Sequence, residues 1–410
     1  IQTRAAGWRT FNLKKTDPEA QIAALTDIHS GNWRNGYGYV FSRFNKQKKR
    51  LFFPMPFSSM ILEAQYYYPF LKEIQNSLLL LKERSPFTFW ADKIGFDKMF
   101  KDIVSPKVRK YDRSHLVFVQ RDFYHMDTSQ GYDQTRHSFL PRIQAAYGLS
   151  DESMKQYADV IYFGATCPIF TPDGVYTGYR GKASGENTTN GDETCSNEDY
   201  DERFQQILRI LCEAVKLSFE LAYTGGNGDD GMCIFYLKDM RRFSTFQELI
   251  QKAAEQAADE FGYTINDKWL VSKDYGLYCQ RMLTSTSDGG IIDMYPASLI
   301  FNSIMHPEHQ YDPADWDKDY RDWTIIEKLD NGKNLPYFHQ LIDFVDNGMK
   351  YRLLGRSEEE TRRILSKYDK YRALRDDPFN YQDPELYRDY HSSPTIQYLL
   401  AKRGLSYLVK

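Results

Sequence analysis

Apolar residues along this chain recur with two different periods, and the alternation between them divides it. The run Leu116 to Gln120 (LVFVQ) is short, β-branched and aromatic, which predicts a buried strand. A second strand is expected over CIFYL, residues 233–237. From Phe204 to about Ala222 the apolar positions Phe204, Ile207, Leu208, Leu211 and Val215 keep the spacing of one helix face. Phe246, Leu249, Ile250, Ala253, Ala254, Ala257, Ala258 and Phe261 do the same over 246–261. Thr245 and Glu248 read as a capping box before that helix, and Gly262 as its stop. The last 110 residues read as mostly helical, with a Ser357/Glu360 capping box opening SEEETRRILSKYDKYRAL. The most polar stretch, 185–203, reads as a loop or an exposed helix start. Mixed strands and helices followed by a helical tail give an α+β class.

The length of 410 residues allows two or three domains or one multi-lobed unit. With 53 Lys+Arg against 56 Asp+Glu the net charge is −3, which argues against a surface coated with basic residues for nonspecific nucleic-acid binding. A mean hydropathy of −0.62, with no uninterrupted apolar run of about 18 residues, predicts no membrane-spanning helix. The N-terminus shows no apolar segment after a basic start and no initiator Met, so a trimmed chain is expected. Cys167, Cys195, Cys212, Cys233 and Cys279 form no CxxC pair and no Cys/His cluster, which argues against structural zinc and a disulfide framework. The 31 Tyr and 26 Phe are read mostly as core.

Three short segments carry the candidate chemistry. Asp122-Phe-Tyr-His-Met-Asp127 follows the first strand, Ser184-Gly185-Glu-Asn-Thr-Thr189-Asn190 follows a loop, and Gly228-Asp229-Asp230 ends a GGNGDDGM turn before CIFYL. Carboxylates at a strand end and in a tight turn can lie side by side in an antiparallel sheet. Such a pair can hold two Mg²⁺ ions about 3.5–4 Å apart, which activate an attacking 3′-oxygen and stabilise departing pyrophosphate. Mg²⁺ suits a few carboxylates plus substrate phosphates, without His or Cys. Gly226 to Gly231 also fits G-x-G-x-x-G, but a strand follows it and a helix was expected before it, so a dinucleotide fold fails on context. Asn187-Thr188-Thr189 is a chance sequon, His125 reads as structural, and no P-loop or HExxH occurs.

The order DxxxxD, SGxxxT, GDD resembles motifs A, B and C of viral RNA-dependent RNA polymerases, and MYPASLIFNSIMHPE (294–308) is similar to picobirnavirus polymerases, with partitivirus polymerases as nearest relatives. The resemblance runs over nearly the whole chain. It implies a right-hand polymerase: fingers over 1–115 and 134–180, palm over 116–133 and 181–285, and a helical thumb over 286–410. It implies Asp122, Asp229 and Asp230 as ligands of two Mg²⁺ ions, with Mn²⁺ as substitute, and Asp127 as the reader of the ribose 2′-OH. Ser184, Gly185 and Thr189 would position nucleotide or template. Motif B often ends in Asn four places after the Thr; Glu193 stands there, so Asn190 is the expected substitute for the ribose contact. Lys48 and Arg50 in NKQKKRLFFPMP resemble motif F, which neutralises the triphosphate, and TRAAG (3–7) resembles motif G, which places the start of the chain inside the fingers. GYTINDKW resembles motif D, with Lys268 as general acid and Lys273 in reserve, and LYCQRML (277–283) resembles the motif E strand. A reverse transcriptase usually carries an aromatic residue at the place of Asp127. The other alternative is a noncatalytic RNA-binding structural protein with a palm fold. The implied partners are RNA template and product, ribonucleoside triphosphates and a viral capsid protein, without a membrane. The implied setting is a double-stranded RNA virus, in the virion interior or host cytoplasm.

Overall fold

The computed structural model describes residues 17–45, 48–183, 186–306, 318–350, 352–368 and 390–409. TRAAG, Ser184, Gly185 and the end of MYPASLIFNSIMHPE fall outside them, as do the side chains of Lys48 and Arg50. Twelve strands are described. β1 (Gly38–Tyr39) lies parallel to β5 (Ile169–Thr171), which pairs with β6 (Gly174–Tyr176). β2 (Phe41–Asn45) and β3 (Lys48–Phe52) form a hairpin that pairs Arg43 with Arg50. β10 (Gly276–Tyr278), β11 (Arg281–Ser285) and β12 (Ile291–Met294) form a separate antiparallel sheet.

The sheet that positions the site has the order β7-β8-β4-β9, all antiparallel, with β4 (Leu116–Arg121), β7 (Phe219–Asn227), β8 (Asp230–Leu237) and β9 (Leu270–Ser272). Every residue of β4 is buried, because both faces of the sheet are covered. Val117 and Val119, with Cys233, Phe235 and Leu237 of β8, face a core built with the helices Thr189–Ala214 and Phe243–Phe261. Leu116 and Phe118, with Met232 and Ile234, face the opposite core, to which the helices Phe57–Leu81, Tyr132–Tyr147 and Asp151–Thr166 contribute. Full burial of each such side chain stabilises the fold by about 1.5–3 kcal/mol. The alanines of Phe243–Phe261 let it approach Thr189–Ala214 closely, and Tyr200 Oη donates to Ala254 O at 3.0 Å across the contact.

Several expectations need correction. The helix expected to about Ala222 stops at Ala214, where Lys216 takes a left-handed φ of 53° and Leu217 N–H returns to Cys212 O at 2.9 Å. The stretch before Gly228-Asp229-Asp230 is therefore strand β7 and not a helix, although a dinucleotide turn still fails because β8 follows it. The polar stretch 185–203 is no exposed helix start: Asp192, Thr194, Ser196, Asn197 and Asp201 are all buried. Thr245 and Glu248 lie inside a helix that already begins at Phe243. Gly262 does end it, with φ 70°. Ser357 caps its helix through Glu360 N–H at 3.1 Å, while Glu360 accepts from Arg356 N–H instead of completing the box. The described part of the tail is helical, and the helices Ala297–Met305, Lys318–Asp330, Phe338–Gly348, Glu358–Leu365 and Pro394–Lys402 share a third core around Trp323, Ile342 and Leu400. Many aromatics are core residues, among them Tyr157, Tyr200, Tyr278 and Phe204. All five cysteines are free thiols, four of them buried. No helix among the described residues is long and apolar enough to cross a membrane.

Candidate functional site

Strand register brings the first and third segments together. β4 ends at Arg121, paired with Gly231 of β8, so Asp122 emerges beside Asp230 at the same end of the sheet. β7 and β8 are joined by a two-residue loop, Gly228-Asp229, closed by the Asn227–Asp230 pair. Gly228 has φ 60° and Asp229 does not share the positive φ, the pattern of a type II′ hairpin with Gly first. A Cβ at Gly228 would meet Asn190 Nδ2 at 3.0 Å and Glu193 Oε2 at 3.2 Å. The helix Thr189–Ala214 holds the turn from behind. Gly228 N–H donates to Thr194 Oγ1 at 2.9 Å, and Asn197 Nδ2 donates to Gly228 O at 3.0 Å and Asp230 O at 3.2 Å.

Beneath the turn, Arg121 is wholly buried and paired with Asp201, which also accepts from Thr224 Oγ1 at 2.8 Å. The guanidinium fills the space a side chain at Gly231 would occupy. Beyond Asp122 the chain pairs with 264–266: Phe123 bridges Ile265, Tyr124 N–H donates to Thr264 O at 2.8 Å, and Asn266 N–H to Asp122 O at 3.0 Å. That pairing sets Lys268 over the carboxylates, and its Nζ donates to Asp122 Oδ2 at 3.2 Å. Lys273 is exposed after β9. His125, at φ 50°, reverses the chain so that a short helical turn, Met126–Ser129, presents Asp127.

The site is dominated by negative charge. Burial and the Asp229 and Asp122 carboxylates push Asp230 up to about 7. Burial, then Asp122, raise Asp229, with Asp127 adding to the effect. Burial, then Asp229 and Asp127, raise Glu193 well above the usual carboxylate range. Glu193 thus belongs to the acidic cluster; its only signal in the sequence was its place after Thr189. Asp122 holds Lys268 more firmly protonated. Oxygen-only donors of this kind suit a hard divalent cation, and Asp122, Asp229 and Asp230 are the residues that could hold one. Among the described residues no three such side chains already converge as a closed cage, so a cation here would rely on further ligands such as phosphate oxygens.

The described residues of the second segment, 186–190, are bound up in structure. Thr189 Oγ1 donates to Ala183 O at 3.0 Å and Glu186 O at 3.2 Å. Asn190 Nδ2 donates to Asn227 Oδ1 at 2.8 Å and its Oδ1 accepts from Lys93 Nζ at 2.8 Å, so its amide faces the protein and not an open ribose site. Glu63, from the helix Phe57–Leu81, accepts from the N–H groups of Asn187 at 2.9 Å and Thr188 at 3.1 Å. Lys182 is buried against Glu186 at 3.2 Å and Asp192 at 3.1 Å. Three carboxylates around one lysine leave excess negative charge, and burial and Glu186 raise Glu63 to about 7. Lys93, Glu63 and Lys182 carried no readable signal, because their partners lie far away in the sequence.

No protein-family profile and no curated protein matches the chain. Among solved structures it is similar to the RNA-dependent RNA polymerase of a human picobirnavirus, at 18% identity and TM-score 0.65, covering 90% of this chain and 66% of that one. It is also similar to an insertion-loop deletion mutant of a human picobirnavirus polymerase, at 18% identity and TM-score 0.63, covering 90% and 64%. The chain spans about two thirds of the length of these structures. With its acidic cluster at one end of a mixed, antiparallel-sheet core, the chain has the fold of picobirnavirus RNA-dependent RNA polymerases.

Proposed function

We propose that the chain is an RNA-directed RNA polymerase, a nucleotidyltransferase joining ribonucleoside triphosphates along an RNA template. One observation carries this reading most: Asp122 and Asp230 leave adjacent ends of β4 and β8 beside the Gly228-Asp229 loop, with Lys268 bonded to Asp122. In this reading fingers span 1–115 and 134–180, palm 116–133 and 181–285, and thumb 286–410. Asp122, Asp229 and Asp230 would hold two Mg²⁺ ions, with Mn²⁺ as substitute; when bound they supply positive charge for the attacking 3′-oxygen and the leaving pyrophosphate. The 3′-hydroxyl gives up its proton to solvent as its oxygen bonds to the α-phosphorus and the bond from that phosphorus to pyrophosphate breaks. Lys268 gives its Nζ proton to that leaving group. Asp127 accepts a hydrogen bond from the ribose 2′-OH, which a deoxynucleotide cannot offer. Lys48 and Arg50 neutralise the triphosphate, and Ser184 and Thr189 help position the incoming nucleotide or template, with Gly185 giving their loop freedom to move. Asn190 acts indirectly, through Asn227. The reading extends to a double-stranded RNA virus genome copied inside a virion or in host cytoplasm, next to capsid protein.

The test is template-directed incorporation of labelled ribonucleotides with Mg²⁺. Wild type should extend, Asp229→Ala should lose activity by 10³-fold or more (about 4 kcal/mol of transition-state stabilisation), and deoxynucleotides should be used poorly. Activity surviving in Asp229→Ala, or absent from wild type, refutes the proposal. Equal use of both sugars refutes the role of Asp127.

A further inference from the structure

Lys93 is a lysine with only 13% of its side chain exposed, in the short segment Thr88–Ile94. Its ammonium donates to Asn190 Oδ1 at 2.8 Å, Asn227 Oδ1 at 3.0 Å and Asp92 Oδ2 at 3.3 Å, which uses all three of its N–H donors. These acceptors come from three separate parts of the chain. Asn190 opens the helix that carries Glu193, and Asn227 pairs with Asp230 across the Gly228-Asp229 loop. Asn190 Nδ2 also donates to Asn227 Oδ1, so the two amides and the ammonium form a closed triangle.

The segment is seated so that the ammonium has little room to move. A Cβ at Gly225 would meet Thr88 O at 2.6 Å, and one at Gly226 would meet the Phe89 ring at 2.8 Å. Phe89 and Trp90 are buried, and Tyr223 Oη donates to Thr88 O at 3.2 Å. The paired glycines of YTGGN thus let this segment lie flat on β7, directly behind the acidic turn. A largely covered ammonium with its donors fully committed holds the groups it touches, because moving any of them leaves one of its N–H donors unpaired.

Resting on the polymerase reading, we propose that Lys93 is a positioning residue for the reaction: it locks the Gly228-Asp229 turn to the start of the helix Thr189–Ala214, so that the carboxylates and the nucleotide-side loop keep one spacing. It touches neither substrate nor metal, and it acts through Asn227 and Asn190. Misplacement of reacting groups by about 1 Å can cost about 10²-fold in rate.

The experiment compares Lys93→Met with wild type by steady-state incorporation and by amide hydrogen exchange. The expected result is a fall in kcat of about tenfold to 10²-fold, with nucleotide KM within about threefold. Exchange should quicken in peptides covering 187–195 and 223–232 and stay unchanged in the helix Phe243–Phe261. Asn227→Ala, which leaves Lys93 paired with Asp92 and Asn190, is the milder variant should Lys93→Met not fold, and it should show the same split on a smaller scale. Wild-type kcat with wild-type exchange in the variant overturns the proposal, as does exchange quickened evenly along the chain. If wild type incorporates no nucleotide, the polymerase reading fails, and the exchange comparison still decides whether Lys93 holds the turn.

Discussion

Gly231→Ala adds one methyl group at the most crowded point beneath the acidic turn. The new Cβ would stand 2.7 Å from Arg121 Nε and 2.8 Å from Nη2, both inside the closest approach such atoms tolerate, and a tight 3.0 Å from Cζ. Gly231 needs no left-handed backbone, so the methyl itself is the whole perturbation. Arg121 cannot swing away cheaply, because it is wholly buried and paired with Asp201. Overpacking a dense core costs about 1–3 kcal/mol. Pushing the guanidinium off its partner approaches the 3–5 kcal/mol, roughly, of a broken buried pair. A loss of about 2–4 kcal/mol is therefore expected, read by equilibrium urea unfolding. The control is the same change in an Arg121→Met, Asp201→Leu background, where no guanidinium stands in the way. There it should be neutral or gain about 0.5–1 kcal/mol, as Ala usually does over Gly inside a strand. A penalty below about 0.5 kcal/mol in the parent, or an equal penalty in both backgrounds, would refute the packing argument. Because Gly231 adjoins Asp230 and Arg121 adjoins Asp122, incorporation should fall along with stability.

Lys268→Met should lower single-turnover incorporation by about 10²-fold or more, the range of one general acid. Its effect on unfolding should be under about 1 kcal/mol, since the Lys268 side chain is 65% exposed even though Asp122 beneath it is nearly covered; an unchanged rate would remove Lys268 from the mechanism. Glu63→Gln tests the buried cluster through pH. The folded pKa of Glu63, about 7, lies above its unfolded value, so the folded state binds the extra proton between roughly pH 4.5 and 7 and wild-type stability falls as pH rises through that window. Melting temperatures at pH 5 and pH 8 should show a smaller drop in Glu63→Gln than in wild type, and identical drops would refute the assignment.

What the sequence revealed and what it hid divide along local and long-range causes. β4 was legible because LVFVQ announces a doubly buried strand in five residues, and the turn because Gly-Asp-Asp before CIFYL has local hairpin chemistry. The end of the helix at Ala214 was hidden because Lys216 takes the left-handed place that glycine usually marks. The burial of 192–201 was hidden for a different reason. Asp192 and Asp201 pair with Lys182 and Arg121, and Asn197 donates to the backbone of Gly228 and Asp230, none of which a periodicity reading can pair with them. Asp122, Asp229, Asp230 and Lys268 could be named through the family resemblance, and strand register brings Asp122 and Asp230 to one end of the sheet with Lys268 bonded to Asp122. The inward commitment of Asn190 could not, since it depends on Lys93 and Asn227.

The strand order β7-β8-β4-β9 also sets how the site opens under thermal fluctuation. Asp122 and Asp230 hang from the two interior strands, whose amides can exchange only when the sheet itself comes apart. Lys268 sits between a short loop and the three-residue edge strand β9, where local opening is far cheaper. The carboxylates are thereby tied to interior strands and Lys268 to an edge strand that opens more cheaply, so Lys268 can withdraw and return without disturbing the spacing of the carboxylates beneath it.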